Sequence, residues 1–195
     1  SVLASRPTYK TDGTLHWLEF DGVDDWLVTT SVLPINATDE VTLCIGQKHL
    51  VNSPDGVIAE LSPTRATNTH AFTFFSPSGV NRYSWVARGS GGASNSANTA
   101  SASYTAPHAG VLTGLAKISP SNAVLRVNGS QAGQGTTATG TGNWGSYQLY
   151  IGRRGGATIA WKGRLYGLVV RNALTADPLL PAAEAHMAAK VGVSW

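Results

Sequence analysis

The acidic residues could carry hydrolytic chemistry, because two carboxylates that face one bond can hydrolyse a glycoside. Such a pair must lie roughly 5–9 Å apart, which on a strand places the acids at positions i, i+2 or i+4. No Glu/Asp pair has that spacing inside a predicted core strand, and each glutamate is isolated. The four glutamates are Glu19, Glu40, Glu60 and Glu184. The sequence therefore disfavours a glycanase and offers no candidate catalytic residue.

Metal binding has one candidate in the sequence. Asp21, Asp24 and Asp25 form the densest acidic group, and Ca²⁺ prefers several oxygen ligands. The alternative is structural: an Asp-Gly turn whose carboxylates accept backbone N–H bonds. No pair of histidines has a zinc-binding spacing, which disfavours a zinc site. The five histidines are His16, His49, His70, His108 and His186.

Aromatic residues among polar loop residues indicate sugar binding, because rings stack on the apolar faces of sugars while polar neighbours bond the hydroxyls. Trp144 lies between turn residues, with Asn143 before it and Tyr147 after it. We predict this group as a glycan contact. The alternative is that Trp144 belongs to the core, where large rings are more common.

A second predicted glycan contact lies along one short strand. Tyr83 and Trp85 share one face of this strand, and Arg82 and Arg88 share the other. Arg153, in the run Arg-Arg-Gly-Gly, is a further candidate for contacting an acidic glycan. The alternatives are core packing for the rings and a solvated hairpin for the arginine pair.

Composition excludes several classes of protein. Only 13% of the 195 residues are charged, about half the usual share of roughly 25%, which excludes a charged disordered tail and a coiled coil. The net charge is +3 without a basic stripe, so we expect no nucleic-acid partner. No run of about 18 apolar residues predicts a membrane span, and no signal-peptide pattern is visible.

Short apolar runs separated by turn residues predict an all-β fold, a two-sheet antiparallel sandwich. Asp21-Gly22 predicts a hairpin between the first two runs, and Asn128-Gly129 predicts a turn after a later one. Cys44 falls in an apolar run and is predicted as a small buried hydrophobe. The predicted strands are 17–20, 26–30, 41–45, 57–61, 71–75, 81–88, 111–118, 123–127, 147–152 and 161–171.

The predicted domain covers residues 1–195, with an N-terminal extension at 1–14 and a C-terminal helix and tail at 178–195. Pro181 suits a first helical position, and Gly192 suits the end of the helix. The apolar stripe of this helix predicts packing on the edge of a sheet, and the alternative is a helix that binds a partner. Residues 89–106, rich in Gly, Ser, Ala and Asn, are expected to form a long exposed loop with a weak edge strand.

Several motifs, in order, resemble the concanavalin A-like lectin/glucanase superfamily in its laminin-G-like (LamG) branch, a jelly-roll fold. Two flanks, 6–9 (RPTY) and 184–192 (EAHMAAKVG), resemble variants found in bacteriophage and prophage virion proteins and in some bacterial surface proteins. The motifs are 20–27 (FDGVDDWL), 123–129 (AVLRVNG), 149–153 (LYIGR), 161–166 (WKGRLY) and 171–175 (RNALT).

The resemblance implies a non-catalytic carbohydrate-binding or adhesion module of a phage virion or cell-surface assembly. The alternative is a structural virion protein, a capsid decoration or tail component that acts through protein contacts and can form a homo-oligomer. We expect a virion, extracellular or cell-surface location after synthesis in the cytoplasm. We expect no cofactor apart from the calcium alternative.

Overall fold

Two antiparallel sheets face each other across residues 5–52, 54–77, 80–176 and 178–195, the part of the chain that the computed structural model describes. The strands are β1 (Thr8–Thr11), β2 (His16–Asp21), β3 (Leu27–Val28), β4 (Glu40–His49), β5 (Val57–Leu61), β6 (Ala71–Phe75), β7 (Ser84–Arg88), β8 (Asn95–Asn98), β9 (His108–Lys117), β10 (Asn122–Val127), β11 (Ser130–Gly135), β12 (Leu149–Ile151) and β13 (Lys162–Arg171). The single helix among these residues is α1 (Leu179–Val191). The predicted all-β jelly-roll sandwich with a C-terminal helix is confirmed.

The seven-stranded sheet has the order β1-β2-β13-β4-β9-β10-β11, and the six-stranded sheet has the order β3-β12-β5-β6-β7-β8. The hairpin predicted at Asp21-Gly22 is wrong, because β2 and β3 belong to different sheets. The turn carries the chain across the sandwich. By contrast, β10 and β11 form a hairpin through Asn128 and Gly129, both with positive φ.

The core lies between the inner faces of the two sheets. Leu43 and Ile45 of β4 face Phe72 and Phe74 of β6, and all four are fully buried. Trp85 packs over Gly114, where an added Cβ would lie 2.6 Å from the indole ring. The alternation of apolar residues along each strand places these side chains inside the sandwich.

One lateral side of the sandwich is closed by backbone contact between β8 and β11. A Cβ on Gly133 would lie 2.2 Å from the carbonyl oxygen of Asn98, and one on Gly135 would lie 2.4 Å from that of Ser96. Gly133 and Gly135 therefore allow the two strands to approach each other closely. β8 confirms the edge strand expected within residues 89–106.

The helix α1 begins two residues before Pro181 and ends at Gly192, which has the expected left-handed conformation (φ 74°). The predicted position at a sheet edge is wrong. α1 packs on β4, β9 and β13, central strands of the seven-stranded sheet, where Gly46 makes room for Met187. Among the described residues, no helix combines the length and apolar character needed to cross a bilayer.

Candidate functional site

Trp144 is buried, with 2% of its surface exposed. The prediction that this ring is exposed and contacts a glycan is therefore wrong. The backbone N–H of Trp144 donates to the carbonyl of Thr38 at 2.9 Å, and the indole packs edge-on against Phe72 with ring centroids 5.4 Å apart. Asn143 is exposed and Tyr147 is half-buried, as expected of surface residues. A glycan cannot stack on Trp144 in this arrangement.

Tyr83 and Trp85 are also fully buried, so neither ring can serve as a sugar platform. Trp85 lies between Phe72 and Phe74, at centroid distances of 5.1 and 5.2 Å, and its Nε1 donates to the carbonyl of Leu115. The two rings do share a buried environment, as their shared face of the predicted strand implies. The error lay in treating that face as solvent-exposed.

Tyr83 belongs to an interior polar cluster, formed with Gln47, His49 and His108 between the two sheets. Gln47 Nε2 donates to Tyr83 Oη at 2.9 Å, and the same hydroxyl hydrogen-bonds His108 Nδ1 at 2.9 Å. Gln47 Oε1 and both ring nitrogens of His49 have no partner among the described residues. Such a polar interior is a typical site for ordered water.

Burial shapes the titration of this interior polar cluster. Burial, followed by the proximity of His108, lowers the pKa of His49 from 6.5 to about 4. Burial also lowers the pKa of His108 and raises that of Tyr83. The cluster is therefore neutral at pH 7.

The candidate arginines occupy different positions. Arg82 is exposed. Arg88 holds two loops together: its Nε donates to the Gly92 carbonyl at 2.8 Å, and its Nη1 donates to the Ala66 carbonyl at 2.6 Å. Arg153 donates from Nη2 to the Ala157 carbonyl at 2.6 Å, within its own turn.

A buried carboxylate organises the outer surface of the six-stranded sheet. Glu60 of β5 is fully buried and accepts hydrogen bonds from Thr73 Oγ1 at 2.8 Å and from the Arg65 backbone N–H at 2.9 Å. Arg154 donates to the same carboxylate from Nε and Nη2 at 3.0–3.1 Å. No local pattern in the sequence predicts this pair, because its members are 94 residues apart.

We call this surface the arginine face, defined by Glu60, Arg65, Phe75, Arg88 and Arg154. The guanidinium carbons of Arg65 and Arg154 lie 5.9 and 5.5 Å from the centroid of Phe75. Arg65 Nη1 donates to Ser94 Oγ at 2.7 Å, whereas its Nε is buried without a partner among the described residues. Burial and then the positive charge of Arg154 lower the pKa of Arg65.

A cavity of about 190 Å³ adjoins the arginine face. Phe75 belongs to both the cavity and the arginine face, and exposed Arg82 also lines the cavity. Asp55, Ser76 and Ser84 complete the lining. Of the predicted arginines, Arg88 therefore lies on the arginine face and Arg82 lines the adjoining cavity, whereas the rings of Tyr83 and Trp85 are buried.

The aspartate group of the sequence forms a tight turn. Asp21 Oδ1 accepts the Val23 N–H at 2.7 Å, and Asp25 Oδ2 accepts the Asp21 N–H at 2.9 Å. Burial raises the pKa of Asp25. One carboxylate oxygen from each of Asp21, Asp24 and Asp25 lies within 4.8 Å of the others, so the turn interpretation and the calcium interpretation fit the same geometry.

Comparison with known proteins shows the fold. No protein-family model and no curated protein sequence matches the chain. A CBM40 module of a Ruminococcus gnavus IT-sialidase, solved with α2,3-sialyllactose, superposes with a TM-score of 0.61 at 13% identity, over 86% of this chain and 95% of that chain.

Two larger proteins also contain this architecture. Domains LG4-5 of the mouse laminin α1 chain match with a TM-score of 0.60 at 11% identity, over 88% of this chain and 43% of that one. The receptor-binding domain of botulinum neurotoxin type G matches with a TM-score of 0.64 at 9% identity, over 92% of this chain and 43% of that one. The chain thus has the lectin-like jelly-roll fold of the concanavalin A-like and laminin-G-like domains.

Proposed function

We propose that the chain is a non-catalytic carbohydrate-binding module and that its arginine face binds an acidic sugar. We also propose that it acts on the surface of a virion or a cell, as the resemblance of its flanking segments implies. The charge balance of the arginine face carries the binding proposal. Three guanidinium groups share this face with one carboxylate, which leaves two positive charges without a compensating acid within the face.

An anionic ligand would supply the missing charge. Arg65 is crowded by the positive charges of Arg154 and Arg88, and its side chain is partly exposed. A carboxylate or sulfate placed there forms charge-assisted hydrogen bonds, which are stronger than neutral ones. Phe75 offers an apolar surface beside the guanidinium groups for the ring of the same sugar.

The glutamates support a non-catalytic role. All four form ion pairs: Glu19 with Arg164, Glu40 with Lys117, Glu60 with Arg154 and Glu184 with Arg126. Glycoside hydrolysis requires two carboxyl groups that face the scissile bond. Glu60, the glutamate of the arginine face, is instead buried and accepts donors at both oxygens.

Calorimetric titration of the purified chain with 3′-sialyllactose and with lactose tests this proposal. The two ligands share a neutral core and differ by one acidic sugar. We expect tighter binding of 3′-sialyllactose, and Arg65→Gln should weaken it by about tenfold, the equivalent of one charge-assisted hydrogen bond. Arg171→Gln, on the other sheet, removes the same charge and should leave the affinity unchanged.

A screen on immobilised glycans extends the test to other acidic sugars. Equal affinity for acidic glycans and their neutral cores would contradict the acidic-sugar proposal. An affinity for 3′-sialyllactose that is unchanged in the Arg65→Gln variant would place the ligand elsewhere. Release of reducing sugar from a bound polysaccharide would contradict the non-catalytic assignment.

Protein contacts remain a second candidate function because of one apolar surface. Val169 and Leu179 are each about half exposed, at 51% and 59%, beside a cavity of about 250 Å³ between β13 and α1. A structural component of a larger assembly would use such a surface to contact neighbouring subunits. Sedimentation of the pure chain tests self-association, and Leu179→Asp should dissociate any oligomer formed through this surface.

A further inference from the structure

A groove opens where strands β2 and β13 stop pairing. Their ladder ends at Leu18 and Leu165, and the next residue of β13, Tyr166, occupies a register shift. A bulge of this kind redirects its side chain. Tyr166 therefore stands between the start of β2 and the last turns of α1.

Two adjoining cavities form the groove, one of about 340 Å³ and one of about 210 Å³, and both are lined by His16 and Tyr166. Thr14, His186 and Lys190 line the larger cavity, on the side of α1. Tyr9 and Trp17 line the smaller one, towards the sheet edge. We call these residues together the helix groove.

The aromatic rings of the helix groove are held in place. Tyr9, 61% exposed on edge strand β1, hydrogen-bonds His16 Nδ1 through its hydroxyl at 2.6 Å, and the two rings stack 6.0 Å apart. Tyr166 lies 5.8 Å from the ring of Trp17. The guanidinium of Arg164 lies 4.6 Å from that indole. Rings already fixed lose little conformational entropy when a ligand stacks on them.

Hydrogen-bonding groups stand beside these rings. His16 and His186 offer ring nitrogens, Thr14 a hydroxyl and Lys190 an ammonium group. No carboxylate lines either cavity among the described residues, and Lys190 is the one Lys or Arg in the lining. This surface is aromatic and polar with little charge, unlike the arginine face.

We propose that the helix groove is a second ligand site, which takes an uncharged pyranose unit of an oligosaccharide. The apolar face of the sugar stacks on Tyr9 or Tyr166, and its hydroxyl groups bond His16, His186 and Lys190. The groove is built from the seven-stranded sheet and α1, whereas the arginine face lies on the six-stranded sheet. The two proposals are therefore independent.

Amide chemical shifts of the ¹⁵N-labelled chain test the site with simple neutral sugars. The probes are four oligosaccharides at millimolar concentration: lactose, maltotriose, cellotriose and chitotriose. We expect at least one probe to shift amides of residues 14–18, 166–167 and 186–190 in a saturable manner. Failure of all four probes to shift these amides, or shifts confined to the arginine face, would overturn the proposal.

Variants then identify the stacking ring. Tyr9→Ala should lower the affinity for the probe by about three- to tenfold, which corresponds to the loss of one aromatic contact. Tyr9→Phe keeps the ring and should retain most of the affinity. Trp195→Ala removes another exposed ring, outside the groove, and should change nothing. Full affinity of the Tyr9→Ala and Tyr166→Ala variants would overturn the stacking role, and Arg65→Gln should not affect this binding.

Discussion

The buried imidazole of His49 predicts a loss of stability in mild acid. His49 is fully buried, and its folded pKa is about 4 against an ordinary value of 6.5. Between these two values the unfolded chain binds more protons than the folded chain. Stability from this group is therefore complete above pH 6.5 and falls as the pH drops towards 4.

The size of the effect follows from the two pKa values. A separation of 2.5 between 6.5 and 4 corresponds to a maximum of about 3.4 kcal/mol. Relative to neutral pH, the free energy of unfolding should fall by about 2 kcal/mol at pH 5 and by about 3 kcal/mol at pH 4. His108, whose pKa burial also lowers, acts in the same direction.

Urea unfolding followed by tryptophan fluorescence at pH 7, 6, 5 and 4 measures this loss. The variant His49→Asn lacks the titrating ring. The slope of its unfolding free energy against pH should therefore correspond to up to one proton fewer taken up on unfolding. Exposed His186→Asn is the matched control and should keep the wild-type dependence. An unfolding free energy that stays constant from pH 7 to 5, or an identical slope in His49→Asn, would refute the reasoning.

Three further predictions concern packing, each measured by the denaturant midpoint at pH 7. Trp144→Ala should lower the free energy of unfolding by about 3–5 kcal/mol, because it leaves a cavity where a buried ring was. A near-neutral effect would contradict the buried position. Gly133→Ala should cost about 1–3 kcal/mol, because its Cβ would meet the Asn98 backbone; unchanged stability would mean that the strand edges separate freely. Arg126→Met should cost about 3–5 kcal/mol by leaving Glu184 buried without its bidentate partner, whereas Arg126→Met combined with Glu184→Leu should recover most of the loss.

Alternation and turn chemistry predicted the layers of this fold. Runs such as 71–75 and 123–127 have the period of strands with one face in a core, and the structure contains β6 and β10 there. Gly192 ended the helix where expected. The short strand β1 was missed, because all four of its residues are exposed and show no apolar alternation.

Sequence predicted the candidate site less well, because local pattern does not reveal what covers a side chain. Trp144 has the turn neighbours of an exposed ring, yet its loop turns inward and packs on Phe72. Glu60 looked isolated until folding brought Arg154 to it. Tyr9 was noted only as part of the flank 6–9, and its place beside His16 follows from the pairing of β1 with β2. These are long-range relations, set by topology.

Gly133 and Gly135, where β11 touches β8, make the two margins of the sandwich unequal in the substitutions they tolerate. At these two positions the backbones of β8 and β11 are in contact, so a larger residue would force the two strands apart. At the opposite margin, the outer strands β1 and β3 contain no glycine, and all four residues of β1 are exposed. We expect sequence changes that alter ligand recognition to occur mainly at the margin bordered by β1 and β3. Loop insertions and fused domains should also be tolerated best there.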